Sequence, residues 1–111
     1  MEVLVTKEGS VKVLKPIGPF IAGELEPIER ELEDLCLNWT KRTVVDLEDV
    51  GFIDSAGLEL LCRIQQQLNE HGLQLKLCGL NEITQKIFDL TGLSRRFEIL
   101  PETASSLRSF L

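Results

Sequence analysis

TVVDLEDVGFIDSAGLELL, residues 43–61, opens on a compact β-branched run, TVVDL (43–47), and closes on the first turn of an apolar helix. Between them Phe52 and Ile53 read as a buried strand end, while Asp54, Ser55, Ala56 and Gly57 are all small or polar. A short apolar run bounded by polar turns is the pattern of a buried strand. Beyond the turn, Leu58, Leu61, Ile64 and Leu68 step by +3, +3 and +4, which predicts a helix over 55–71 with Gly72 at its C-terminal end. LQLKL (73–77) then alternates strictly, as a strand does. Strand 43–48, helix 55–71 and strand 73–78 make a βαβ unit, so the two strands are expected to run parallel with a right-handed crossover.

The flanks extend this unit. EVLVT and SVKVLK read as two strands, with Lys7, Glu8 and Gly9 as their turn, and Gly18, Pro19 and Gly23 punctuate the stretch beyond them. Leu25, Ile28, Leu32 and Leu35 form the stripe of an amphipathic helix, and Pro27 suits its first turn, where a missing N–H costs little. NEITQKIFDL places Ile83, Ile87 and Leu90 on one helical face, with Gly92 ending the helix. Phe97–Leu100 reads as a short last strand, and Pro101 as the opening of a final helix through Ala104, Leu107 and Leu111. With no internal repeat, linker or low-complexity stretch, residues 1–111 are expected to form a single α/β domain.

Composition excludes several function classes. The 43% apolar content fits a folded chain, and no apolar run approaches the ~18–20 residues of a membrane span. The start, MEVLVTKEGS, lacks the basic-then-apolar layout of a secretory signal, so a cytoplasmic protein without membrane insertion is expected. A net charge of −6 argues against a nucleic-acid surface, which needs clustered Lys and Arg. Glu24, Glu26, Glu29, Glu31, Glu33 and Asp34 crowd the first helix with only Arg30 opposing them in that stretch. They make either a solvated face or a docking face for a basic partner. Cys36, Cys62 and Cys78 are odd in number, have no C-x-x-C spacing and read as reduced core thiols.

Catalysis finds no support. The single histidine, His71, lies 16 positions beyond Ser55 along the predicted helix, or about 24 Å away, which excludes a Ser–His pair. It stands where the helix dipole favours a cation. Walker A, G-x-G-x-x-G and G-x-S-x-G patterns are all absent, so neither an enzyme nor a cofactor is expected. Asp46, Glu48, Asp49 and Asp54 are the one conceivable metal cluster, but Asp46 lies mid-strand and turns use Asp without any metal, so no metal is expected. At 54–57, Asp54 or Ser55 accepts N–H bonds from the first helical turn and Gly57 allows close approach. The same position is chemically suited to phosphate, because helix N-termini present free N–H groups and a positive dipole end. Asp54 beside it and Glu59 four residues on would oppose the added charge.

At this point the chain resembles a STAS domain, and within that family the bacterial anti-sigma factor antagonists. GELE at 23–26 resembles the family's Gly-x-Leu-Asp before the first helix, VVDLEDVGFIDSAGLELL (44–61) its strand, loop and phosphorylatable serine, and LCGLNEITQKIFDLTGL (77–93) its next strand and the helix ending in Gly-Leu. The resemblance implies a four- to five-stranded mixed sheet with about four helices packed mainly on one face. It also implies partner switching: the unphosphorylated antagonist binds a kinase-type anti-sigma factor, that serine kinase phosphorylates the residue matching Ser55, and a serine phosphatase restores it. Glu24, Glu26, Asp54, Ser55, Ala56 and Gly57 are then the expected partner-binding residues, on a monomer or weak dimer. Two positions depart from the pattern. Glu26 stands where Asp is usual and is followed by Pro27, and Ala56 replaces a frequent second hydroxyl, leaving Ser55 the only acceptor in the motif.

The alternative is a STAS subunit of a phospholipid transport or stress-signalling scaffold complex, with Ser55 as a structural helix cap. The lipid-transport branch tends to carry Thr at that position, which Ser55 argues against.

Overall fold

The computed structural model describes residues 1–38 and 42–110; Leu111, the expected end of the last helix, lies outside the described residues. Five strands make one sheet in the order of the chain. The strands β1 (Glu2–Glu8) and β2 (Val11–Ile17) pair antiparallel. β3 (Arg42–Asp46), β4 (Gln74–Cys78) and β5 (Ile99–Leu100) continue the sheet in parallel. The sheet is therefore mixed and five-stranded. Lys7 and Glu8 belong to β1 and not to its turn, which is Gly9 and Ser10; Gly9 takes a φ of 65° that a side chain would resist.

Helices α1 (Glu26–Asn38), α2 (Ser55–Asn69) and α3 (Glu82–Leu90) cover one face. As the stripes require, Ile28, Leu32 and Leu35 of α1 meet Leu61, Ile64 and Leu68 of α2 over Leu14, Val45, Leu75 and Leu77. Each such side chain contributes about 1.5–3 kcal/mol by leaving water. Leu60 is also buried, whereas Leu58 is only partly so. The face of α3 is a correction. Ile83 and Leu90 are 57% and 85% exposed, and Thr84 and Phe88 point inward instead. Phe88 sets its ring edge-on to Phe97 at 5.8 Å, so one large aromatic supplies the anchor of this short helix. Gly92, at φ 76°, stands just beyond the helix as a left-handed stop.

One buried polar residue closes a gap in the sheet. β5 reaches only Leu77 and Cys78 of β4, so the backbone of Leu75 is unpaired on that side. Gln65 of α2 fills the place: its Oε1 accepts from Leu75 N at 2.9 Å and its Nε2 donates to Leu75 O at 3.2 Å and to Arg96 O at 3.1 Å. On the opposite face a short helix, α4 (Thr103–Arg108), lies with Leu107 and Phe110 over Val11, Val13, Val44 and Cys78. Thr103 Oγ1 donates to the Asp46 carboxylate at 2.9 Å, and buried Lys76 donates to Ser109 Oγ at 2.8 Å and pairs with Glu98 at 3.0 Å. Pro101 precedes α4 by two residues and does not open it.

Candidate functional site

The site is built where the stretch after β3 meets the stretch before α1. Gly18 N donates to Asp49 O at 3.1 Å, Phe20 N to Phe52 O at 2.9 Å and Asp54 N to Phe20 O at 3.2 Å, so the two loops run side by side like a further parallel bridge. Phe20 and Ile53 are fully buried beneath this seam. Phe52, expected inside with Ile53, is exposed: alternation along the bridged segment turns its side chain outward.

Asp54 is the N-cap of α2, in extended conformation, and its Oδ1 accepts from Gly57 N at 3.0 Å. Its other oxygen, Oδ2, accepts from Ala22 N at 3.0 Å, reaching across to the loop that leads into α1. Of the two capping candidates the carboxylate has taken the role, because one oxygen serves the helix while the other holds the neighbouring loop. Ser55 follows as the first helical residue and is exposed at the positive end of a 15-residue helix. Gly57 is buried: a Cβ there would stand 2.4 Å from Phe20 O. Ala56, Leu60, Leu25, Glu29, Glu59 and Arg63 line a cleft of about 440 Å³ between the first turns of α1 and α2.

Glu24 and Glu26 lie on the α1 side of this region, both exposed. Glu24 Oε2 is 3.5 Å from the Met1 amino group, and Glu26 pairs with Arg30. The rest of the acidic helix is less bare than its own stretch of sequence implies. Lys12 of β2 is 3.7 Å from both Glu31 and Asp34, and Arg63 of α2 is 3.1 Å from Glu29 and 3.6 Å from Glu33. With these counter-charges, Glu24, Glu26, Glu29, Glu31, Glu33 and Asp34 each stand within ion-pair distance of a cation.

The N–H groups of Ala22 and then Gly57 hold the Asp54 carboxyl below the usual carboxylate range. Its folded pKa thus lies below its unfolded one. The stability it contributes is fully present above about pH 4 and is lost as pH falls through the lower, folded value. Urea melts of wild type and Asp54→Asn from about pH 7 to about pH 2.5 should show a stability gap that closes on acidification. A gap independent of pH would mean that the charge of Asp54 does not engage these donors.

The other candidate groups are dispersed. Glu48 and Asp49 pair with Lys15 at 3.7 and 3.5 Å, while Asp46 accepts from Glu48 N at 3.0 Å and from Thr103. Among the described residues no three His, Cys, Asp or Glu side chains are placed to hold a metal ion. His71 lies just past the end of α2 with Nδ1 3.3 Å from Gln67 O, at the far end of the helix from Ser55. Cys78 is buried, whereas Cys36 and Cys62 are half-buried at the margin of the core; burial pushes all three thiols up. Among the described residues no helix is long and apolar enough to cross a membrane.

Comparison with known proteins agrees with this geometry. The STAS domain family matches residues 2–108. An anti-sigma-B factor antagonist of Staphylococcus aureus is 30% identical over 83 residues, covering 75% of this chain and 74% of the relative. Among solved structures, an anti-sigma factor antagonist from Mycobacterium paratuberculosis superposes with a TM-score of 0.85 at 24% identity, over 97% of this chain and 92% of that one. The Bacillus cell fate determinant SpoIIAA in its phosphorylated form superposes with a TM-score of 0.74 at 16% identity, over 97% and 99%. The chain belongs to the STAS domain family and is of the bacterial anti-sigma factor antagonist type, a type made of non-enzymatic regulators.

Proposed function

We propose that this protein acts by partner switching, with Ser55 as the switch. In its unphosphorylated form it binds a kinase-type anti-sigma factor through Glu24, Glu26, Asp54, Ser55, Ala56 and Gly57, the last buried and serving by shape. Phosphorylation of Ser55 by that kinase releases it, and a serine phosphatase resets it. The observation that carries the reading is the exposure of Ser55 at the start of α2 while Asp54 takes the cap, so that its hydroxyl is not needed to hold the helix. The acidic first turn of α1, tied to the same seam through Ala22 and Asp54, favours a basic contact surface on the partner. Phe52, exposed three residues before Ser55, adds an apolar contact.

A doubly charged phosphate on Ser55 would meet the dipole of α2 favourably but would stand beside ionised Asp54 and near Glu59. Its effect is therefore felt in the complex more than in the fold. Incubation with a GHKL-type anti-sigma kinase and ATP should add one phosphate, located at Ser55 by mass spectrometry, and Ser55→Ala should abolish the labelling. Phosphate on Ser94, Ser105 or Ser106 in place of Ser55 would defeat the proposal; Ser106 is buried and already donates to Glu102 O at 3.1 Å.

A further inference from the structure

The two edges of the sheet are treated differently. β5 is two residues long and has α4 packed beside it. β1 is seven residues long, pairs with β2 without a bulge from Glu2↔Ile17 to Glu8↔Val11, contains no proline and is exposed except at half-buried Val3. Proteins ordinarily blunt a strand of this kind with proline, bulges or central charges, because its unpaired N–H and C=O groups are a template for another strand. Here the charges Glu2, Lys7 and Glu8 stand at the ends, and Val3, Leu4, Val5 and Thr6 make an uncharged centre. Leu4 and Val5 are 46% and 44% exposed. We propose that two copies of this chain associate edge to edge through antiparallel β1 strands, joining their five-stranded sheets into one.

The register is set by symmetry. In such a pair the two-fold axis is perpendicular to the sheet, so opposed residues share a face and their numbers sum to an even value. A sum of eight sets Leu4 against Leu4 of the second copy, on the face that Leu4 shares with Lys15. It sets Val3 against Val5, twice, on the face that Val5 shares with Leu14, and Glu2 against Thr6. Every apolar residue of the centre then meets another. A sum of ten would oppose Glu2 to Glu8 twice and Val3 to Lys7, and a sum of six would set Leu4 against Glu2. Like charges directly opposed destabilise a strand pair, and opposed apolar residues stabilise it. The interface is self-complementary in one register, which selects a second copy as the occupant.

Sedimentation equilibrium of the whole protein, from micromolar to millimolar chain, should show the mean mass rising from that of one chain toward that of two. Leu4→Lys brings two ammonium groups together at the axis and should weaken the association about tenfold or more. Leu4 is exposed in the single copy, so the variant should keep its circular dichroism and melting temperature. Thr6→Lys faces Glu2 of the second copy twice and should tighten the association about threefold or more; with a sum of ten it would face Leu4 and loosen it. A wild-type chain that remains monomeric throughout overturns the proposal and leaves this edge to a strand from a different protein. Association that is indifferent to Leu4→Lys, or weakened by Thr6→Lys, overturns it equally.

Discussion

Phosphorylation of Ser55 is expected to weaken the complex with the anti-sigma kinase by about 30-fold or more, Ser55→Asp to weaken it by less, and Ser55→Ala to leave it nearly unchanged. The lower bound comes from placing an unpaired charge where partner groups lose their water, which costs ~2–5 kcal/mol at about 1.4 kcal/mol per tenfold. Aspartate carries one charge where phosphate carries ~1.5 to 2, and it has fewer acceptor oxygens. Alanine removes a hydroxyl that does not cap the helix, since Asp54 does, and alanine is the better helix former. Titration calorimetry of wild type, the phosphorylated protein and both variants gives the ranking. Equal affinities for all four would reduce Ser55 to an ordinary first-turn residue, as in a constitutive subunit of a larger complex.

Gly57→Ala should destabilise the fold by about 2–3 kcal/mol, although alanine inside a helix ordinarily gains about 1 kcal/mol over glycine. The added Cβ would lie 2.4 Å from Phe20 O, 2.6 Å from Phe20 Cδ1 and 3.0 Å from Ile53 Cγ2. The first of these is backbone in the seam between the two loops and the others belong to buried side chains, so relief requires moving the seam itself. Urea denaturation measures the loss as a lower midpoint at unchanged slope. A midpoint equal to or above that of wild type would show that α2 can withdraw from Phe20 without penalty.

The parts of the molecule read correctly from sequence are those in which one periodic stripe covers one surface. Ile28, Leu32 and Leu35 on α1, and Leu61, Ile64 and Leu68 on α2, are of this kind, and the strands expected at 43–48 and 73–78 form as β3 and β4, although alternation in LQLKL gave no sign that Lys76 is buried. The stripe failed on α3, where Ile83, Ile87 and Leu90 outnumber the single Phe88 that anchors the helix against Phe97. In a nine-residue helix, one aromatic contact outweighs the count of aliphatic positions, and its partner is nine positions further along the chain. Gln65 was invisible for a related reason: only the shortness of β5 makes a buried amide useful there. At the site, the motif pointed to Ser55 and left the cap undecided between two oxygens. The Ala22 donor that settles the cap on Asp54 is 32 positions away. Lys12 and Arg63 likewise reach the acidic helix from other elements, so a charge census of α1 alone overstated its field.

The double grip of Asp54, one oxygen on its own helix and one on the loop before another, makes the geometry around Ser55 a property of the folded chain and not of its local sequence. A short peptide spanning residues 52–61 would keep every side chain of the motif and lose Ala22, Phe20 and the paired backbone that set them in place. An enzyme that recognises this arrangement discriminates by conformation, so newly made, misfolded or proteolysed chains are poor substrates even when the motif is intact. With Ser55 as the acceptor proposed above, the rate of phosphate transfer would report the fraction of the population that is native.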